Sequence, residues 1–531
     1  MTSNKLGEPI EKILIVDFGS QVTQLIARRL RHHRFYAEII PYQLLATHLL
    51  ADMTYIKGII FSGGPASVLD DGVPMVEKKL LDQIISAKRP LLGICYGQQL
   101  LSHLLGGKVE KGQSREFGLA RLDNLTAHPL FSDYGGSHQV WMSHGDHVST
   151  LPAGFTILAG STGAPCAAMA DDKRQIYGLQ FHPEVSHSDQ GDMILKNFAK
   201  HICGMDENWQ MADMLPTMLA DIKKTVGRQR VLAALSGGVD SSVAAILTAR
   251  ALSDETNQQL TCIFVDHGLL RAGEAAQVAS AFAPYPHLDF RAVDASQLFL
   301  DALKGVTDPE QKRKIIGKLF IDVFDGEAKK ITSKGGDAPT FLLQGTLYPD
   351  VIESISVSGA PSSTIKSHHN VGGLPEKMNL TLLEPLRALF KDEVRALGRA
   401  LGLSPALINR HPFPGPGLAI RIIGAVTRDG CDLLRKADAI YLEEIRNFGL
   451  YDKIWQAFAV LLPIRTVGVM GDERSYDQVI ALRAITSQDG MTADVFYFPE
   501  AFLKKVTTRL VNEVKGISRV VIDLTSKPPA T

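Results

Sequence analysis

The sequence predicts an α/β fold: two successive three-layer α/β domains with mostly parallel sheets, then a smaller α+β domain. Three observations predict it. Short apolar runs alternate with segments of helical period through residues 10–205 and again through much of 206–404. Several of those runs end in glycine-rich turns bearing serine, cysteine or aspartate, as expected where a site lies at the carboxyl ends of parallel strands. A chain of 531 residues exceeds one ordinary core and calls for about three domains.

The first domain, 10–205, opens with a strand at 13–17 and a helix at 21–31 whose apolar stripe is Val22, Leu25, Ile26 and Leu30. Arg28, Arg29, Arg31, His32, His33 and Arg34 fall away from that stripe and read as a solvated face. Strands at 58–61 and 91–94 follow, and later β-rich runs contain 119–122 and 156–159. A polar join around 203–209 leads through a helix into the second domain, 206–404, with strands at 231–235, 260–265 and 340–344. Its last helix carries the stripe Phe390, Val394, Leu397 and Leu401 and stops near Ser404-Pro405. The run H-P-F-P-G-P-G at 411–417 is too rigid and too glycine-punctuated to be an element, and marks a loop opening the third domain, 405–531. Helices near 431–447 and 501–515 and strands near 465–470 and 519–524 make that domain α+β.

A formal net charge of −1 and 45% hydrophobic residues describe an ordinary globular chain, with no basic excess to hold nucleic acid. Five scattered cysteines, Cys95, Cys166, Cys203, Cys262 and Cys431, form neither a C-x-x-C site nor a disulfide framework. The polar start Met1-Thr2-Ser3-Asn4-Lys5 lacks the apolar core of a signal peptide, and no apolar run approaches the roughly 20 residues that span a bilayer. The expectation is a cytoplasmic protein with no membrane partner, in a compartment that keeps thiols reduced.

Leu91-Leu92-Gly93-Ile94-Cys95-Tyr96-Gly97-Gln98-Gln99 reads as a buried strand ending in a sharp turn with a helix beyond, an elbow that presents a nucleophile. At a helix N-terminus the dipole favours a thiolate, and an imidazole beside it would favour it further. His182, in Gly178-Leu179-Gln180-Phe181-His182-Pro183-Glu184-Val185, is the expected partner, and Glu184, two residues on in an extended segment, can orient its ring. Phe61-Ser62-Gly63-Gly64-Pro65 ends another strand, and its glycine backbone could join the Tyr96 N–H in an oxyanion hole.

A second site is written at 236–242, where Ser236, Gly237, Gly238, Val239, Asp240, Ser241 and Ser242 separate a strand from a helix expected at 242–251. Glycine backbone, a helix dipole and three hydroxyls suit phosphate, and Asp240 beside a phosphate makes electrostatic sense when Mg²⁺ lies between them. The loop lacks the G-K-[ST] ending of a Walker loop. Asp266 to Arg271 closes the next strand and Gln344 to Asp350 the one after, so three loops share one crevice. Between about 354 and 376 the chain turns glycine-, serine- and histidine-rich, a lid in which Lys366 would meet phosphate; His368 and His369 as zinc ligands is the alternative.

G-I-C-Y-G-Q-Q with F-H-P-E-V resembles the class I glutamine amidotransferases, and S-G-G-V-D-S-S resembles the pyrophosphate loop of the N-type ATP pyrophosphatases. Adding V-D-H-G-L-L-R, G-T-L-Y-P-D-V-I-E-S, I-K-S-H-H-N-V-G-G-L-P, H-P-F-P-G-P-G-L and S-R-V-V-I-D-L-T-S-K-P-P-A-T, in that order, the whole chain resembles the glutamine-hydrolysing GMP synthase family. The resemblance implies Cys95 as nucleophile, His182 as general acid and base and Glu184 as orienter, with Gly63, Gly64, Tyr96, Gln99, Ser143, His144 and Asp146 around the glutamine. It implies that the 236–242 loop holds the pyrophosphate of ATP with Asp240 on Mg²⁺, that Lys391 reaches a phosphate, and that backbone around Val265 reads adenine. Arg271, Lys366, His368, Pro414, Gly415 and Lys527 would face XMP, and the third domain would form a homodimer. In the family K-P-P-A-T continues into I-E-W-E, which helps hold XMP, whereas this sequence stops at Thr531, the native end being shorter or the chain clipped. Another amidotransferase of the ATP pyrophosphatase type, and a nucleotide-binding regulator with a vestigial site, are the alternatives; the intact Cys95, His182, Glu184 and Asp240 weigh against the regulator.

Overall fold

A computed structural model describes residues 10–526 apart from 21, 136–137, 254–258, 286–287, 334–337, 349, 351–379, 471–472 and 488–492. The chain divides into two compact units, Met1–Thr217 and Met218–Thr531.

The first unit runs β1 (Lys12–Asp17), α1 (Thr23–His32), β2 (Ala37–Pro41), α2 (Leu45–Asp52), β3 (Ile56–Phe61), α3 (Lys78–Ser86), β4 (Leu91–Ile94), α4 (Tyr96–Leu104), β5 (Lys108–Arg121), β6 (Gln139–Thr150), β7 (Thr156–Ala159), β8 (Ala168–Asp171), β9 (Ile176–Leu179) and α5 (Gly191–Asn197). Seven strands form one sheet in the order β2-β1-β3-β4-β9-β8-β7, parallel through β9 and antiparallel beyond it. Alternate residues of β1 enter opposite cores. Ile13 and Ile15 pack with Ile26 and Leu30 of α1 and Ile194 of α5, whereas Leu14 and Val16 pack with Leu81 of α3 and Leu100 of α4. That division makes three layers and explains why β1 is a continuous apolar run. β5 and β6 pair as a separate antiparallel ribbon.

The basic side of α1 departs in part from the expected solvated face: His32 and Arg34 are exposed, but other residues there reach protein partners. Arg29 Nε donates to the Glu184 carbonyl (3.0 Å), Arg31 donates twice to the Ala37 carbonyl (3.0 and 2.8 Å), and His33 Nε2 meets Asp192 Oδ2 at 2.9 Å. Helical period separates the apolar stripe from the rest but does not say that the rest meets water, and long side chains there reach neighbouring carbonyls.

The second unit follows α6 (Leu215–Val226), which crosses the division, with β10 (Val231–Leu235), α7 (Val239–Ala251), β11 (Leu260–Asp266), α8 (Glu274–Phe282), β12 (Leu288–Asp294), α9 (Ser296–Ala302), α10 (Pro309–Ser333), β13 (Phe341–Leu343), β14 (Thr381–Leu383), α11 (Lys391–Ala400), α12 (Pro405–Ile408), α13 (Arg428–Asn447), β15 (Gln456–Met470), β16 (Glu473–Thr486), β17 (Asp494–Val495), α14 (Glu500–Glu513) and β18 (Ile517–Ile522). Five parallel strands stand in the order β12-β11-β10-β13-β14. A second sheet pairs β15 with β16 and β16 with β17 antiparallel, and adds β18 parallel to β16. α13 buries Cys431, Leu434, Ala437, Tyr441 and Ile445 at helical spacing, and one core runs from Leu232 through these residues to Phe502. Among the described residues no helix is long and apolar enough to cross a membrane.

Candidate active sites

The first site lies at the carboxyl ends of β3, β4 and β9. Cys95 caps α4 with φ at 52°, a left-handed backbone that a non-glycine residue adopts at a cost and that turns its side chain out of the strand. The flanking glycines make this elbow possible: a Cβ on Gly93 would stand 2.5 Å from Gly97 backbone, and one on Gly97 would stand 2.3 Å from the Phe61 carbonyl oxygen. Beyond β9, His182 Nδ1 lies 2.8 Å from Glu184 Oε1, and both side chains are buried. Burial by itself disfavours the imidazolium, but the Glu184 carboxylate and the Cys95 sulfur, each hydrogen-bonded to the ring, hold His182 well above its ordinary value. Cys95, His182 and Glu184 are thus brought together at one strand end.

Gly63 stands against the His182 ring, where a Cβ would come 3.0 Å from Cε1; a Cβ on Gly64 would come 3.3 Å from Tyr96 Cγ. The Tyr96 hydroxyl donates to the Pro74 carbonyl, and burial pushes its phenol up to about 12. Ser143, His144 and Asp146 lie on strand β6. Val140, Met142 and His144 are buried at alternate positions with Ser143 exposed between them, so a buried polar residue in the apolar series concealed the strand. The Ser143 carbonyl accepts from Cys95 Sγ at 3.7 Å, His144 Nε2 lies 3.2 Å from Glu116 Oε2 and is held below its ordinary value by burial, and Asp146 accepts from Ser67 Oγ. Gln99 Nε2 donates to the Asp146 carbonyl and to Gln180 Oε1. Gln180 had no role in the expectation, although its spacing from His182 puts both on one face of an extended segment.

The second site lies at the end of β10. Here the helix begins earlier than expected, so Val239, Asp240, Ser241 and Ser242 belong to α7 and only Ser236, Gly237 and Gly238 form the loop. An extended Gly238 at the N-cap lets the first turn start at Val239, and Gly237 has φ at 74°. Ser236 Oγ and Ser241 Oγ lie 3.1 Å apart across the turn. Asp240 Oδ2 pairs with Lys391, while Asp240 Oδ1 and Ser242 Oγ are buried and have no hydrogen-bond partner. Gly345, after β13, packs so closely that a Cβ would stand 2.9 Å from the Ser241 nitrogen. Arg410, which sequence reasoning missed, donates to the Gly237 carbonyl at 2.9 Å and pairs with Glu274. Val265 is the penultimate residue of β11, which pairs with β10 and so brings it beside this loop.

Arg271 is buried, with Nε 2.9 Å from Asp438 Oδ2, a bond to the Ala457 carbonyl and its guanidinium 4.5 Å from the Phe413 ring centre. The 411–417 loop is fastened to the 266–271 loop: Leu418 N–H donates to the Leu269 carbonyl at 2.8 Å, and a Cβ on Gly417 would stand 2.2 Å from that oxygen. Pro414 accepts from Gly417 N–H, and Gly415 is exposed. Lys366, His368, His369 and Lys527 lie outside the described residues. Among the described residues no group of three histidine, cysteine, aspartate or glutamate side chains could hold a metal ion.

Comparison with known proteins gives the class first. Residues 14–202 match the class-I glutamine amidotransferase family, and residues 443–531 match the C-terminal domain of GMP synthase. The chain is 59% identical over 524 residues to GMP synthase [glutamine-hydrolyzing] of Agrobacterium fabrum, covering 98% of each, and 58% identical over 525 residues to that of Zymomonas mobilis, covering 98% of this chain and 97% of that one. A solved glutamine amidotransferase from Thermotoga maritima is 19% identical, with 41% of this chain and 94% of that chain covered and a TM-score of 0.30. The chain belongs to the family of glutamine-hydrolysing GMP synthases.

Proposed function

We propose that the chain is a cytoplasmic ligase of guanine nucleotide biosynthesis that converts XMP, ATP, glutamine and water into GMP, AMP, pyrophosphate and glutamate. The observation that carries this reading is the identity of more than half the residues, over nearly the whole length, with GMP synthases.

In the first unit Cys95 Sγ attacks the side-chain amide carbon of glutamine, His182 takes the thiol proton and returns it to the departing ammonia, and Glu184 holds the imidazole. Water then releases glutamate from the thioester. The backbone at Gly63, Gly64 and Tyr96 faces the developing oxyanion, and Gln99, Ser143, His144 and Asp146 shape the glutamine side. In the second unit the first turn of α7 receives the pyrophosphate of ATP while backbone around Val265 reads adenine and Lys391 meets a phosphate. The XMP carbonyl oxygen is adenylylated, and ammonia displaces AMP from that carbon. Arg271, Pro414 and Gly415, together with Lys366, His368 and Lys527, belong to the XMP side.

Mg²⁺ fits this site, because Asp240 Oδ1 is a buried carboxylate oxygen without a hydrogen-bond partner at a phosphate-directed helix start. One carboxylate plus substrate phosphates is how Mg²⁺ is commonly held, and bound there it would neutralise charge on the leaving pyrophosphate. We take 10–205, 206–404 and 405–531 as the functional domains. A homodimer through the last is supported by the exposed apolar cross-strand pair Val467 and Tyr476, with Ile464 beside it. Pyrophosphate release from ATP with ammonia present, compared between XMP and IMP, tests the acceptor: release with IMP at the XMP rate would overturn it.

A further inference from the structure

Gln180 leaves the end of β9 two residues before His182 and is fully buried. Its side chain lies in a one-way chain of hydrogen bonds. The Asp146 backbone carbonyl can only accept, so Gln99 must present its NH₂ group there, at 2.8 Å. The same NH₂ group reaches Gln180 Oε1 at 3.2 Å. That commits the carbonyl end of Gln180 and turns its own NH₂ toward Cys95 Sγ, 3.7 Å away. Had the Gln180 amide been turned the other way, two NH₂ groups would face each other and an oxygen lone pair would face the sulfur.

We infer that Gln180 is a further catalytic residue of the amidotransferase site, donating an N–H to the Cys95 sulfur so that the thiolate is favoured and aimed, with Gln99 as the positioning residue that fixes the polarity of that amide. The inference rests on Cys95 being the nucleophile. Ionisable groups near Cys95 include His182 and Glu184 beyond β9, His144 on β6 with Glu116 of β5 against it, Asp146 on β6, and Tyr96 on α4; His103 of α4, His147 of β6 and Tyr177 of β9 stand on the same elements. His182 supplies charge and proton transfer. Gln180 adds a neutral donor that the proton cycle never consumes, so it acts equally on the free thiolate and on the thiolate leaving the thioester.

The test is the pH dependence of Cys95 carboxamidomethylation by iodoacetamide in the full-length protein, resolved from the other four cysteines by peptide mass spectrometry. Gln180→Leu removes the donor and keeps the volume; Gln180→Glu places an anion before the sulfur. The expected result is a rise in the pH midpoint of alkylation by about half a unit to one unit for leucine and more for glutamate, because a donor to a charged acceptor is replaced first by nothing and then by repulsion. Glutamine hydrolysis should fall about ten-fold in kcat, more than KM changes. Gln99→Leu, which frees the Gln180 amide to turn, should raise the midpoint less. Native midpoints in folded Gln180→Leu and Gln99→Leu proteins overturn the inference, and the leucine variants decide it where the glutamate variant fails to fold. Cys95→Ala separates it from the reading beneath: glutamine hydrolysis surviving in that variant removes the nucleophile assignment, whereas an inactive Cys95→Ala beside native midpoints in the Gln180 variants removes the Gln180 role alone.

Discussion

Asp240 and Lys391, 151 positions apart in sequence, meet as an ion pair that joins the first turn of α7 to the first residue of α11. Lys391 is part-exposed and engages one oxygen of the carboxylate, leaving Oδ1 without a hydrogen-bond partner, as the proposed cation and phosphate roles require. On the proposed cation-ligand role, Asp240→Asn should lower synthesis from both glutamine and ammonia by about a hundred-fold or more. Lys391→Met should raise the KM for ATP about ten-fold, one charge-assisted contact being worth between one and two kcal/mol. Steady-state assays with each nitrogen source measure both; an unimpaired Asp240→Asn protein would remove that carboxylate from the site.

Cys95→Ala should abolish glutamine-dependent synthesis and leave synthesis from concentrated ammonium chloride close to native. The sites proposed for the two half-reactions lie at different strand ends in different compact units. A folded variant that loses both activities would show that the thiol serves something other than ammonia release.

The raised position of His182 predicts an alkaline limb for glutamine hydrolysis well above the ordinary histidine range. The carboxylate of Glu184 favours the imidazolium, so Glu184→Gln should move that limb to lower pH and reduce kcat/KM across the profile. An alkaline limb that stays in place would mean another group sets it.

Gly93→Ala and Gly97→Ala should each destabilise the first unit by about 1–3 kcal/mol, because the added methyl meets backbone that cannot withdraw. Urea unfolding of the full chain reads the loss, and glutamine hydrolysis should fall with it. Gly106→Ala is the control for space alone, since a Cβ there meets nothing, although its positive φ adds some strain.

His267 and His411 are both held down to about 4, chiefly by burial, with His267 accepting from Leu269 N–H and lying edge-on to Phe320. Above the unfolded value near 6.5 both states are neutral and neither histidine contributes to pH dependence. As pH falls from there toward 4 the unfolded chain takes up protons that the native one refuses, so stability declines by up to roughly 3 kcal/mol for each histidine. Denaturation of the second unit should therefore become easier between pH 6.5 and 4, and His267→Asn, which keeps an acceptor for Leu269, should remove about half of that slope.

Much of this was legible before the fold. The 91–94 strand and its elbow could be read because a run buried on both faces is uniformly apolar and two glycines bracket the thiol. The 465–470 strand was read short: it begins at Gln456, and its partner Glu473–Thr486 was missed because charged residues at the hairpin end mask the apolar half. The 25-residue helix Pro309–Ser333 also escaped, its long side chains giving a shallow apolar stripe even though Lys312 is buried and donates to the Ala419 and Ile422 carbonyls. The grouping of Cys95, His182 and Glu184 was visible because a cysteine at an elbow and a histidine two residues before a glutamate are read from residue type and spacing. Gln180 and Arg410 were not, since an amide or a guanidinium acquires its role only from the partners the fold supplies.

The two compact units share one polypeptide, with the division falling inside a continuous helix at Thr217 and Met218. Translation therefore delivers them in a fixed one-to-one ratio, with no unpaired partner of either kind. A tether also sets the local concentration of one unit around the other, in the millimolar range for short connections, whatever the dilution of the protein. At any expression level each first unit would stay matched in stoichiometry to one second unit, where two separate chains would need tight mutual affinity to do the same.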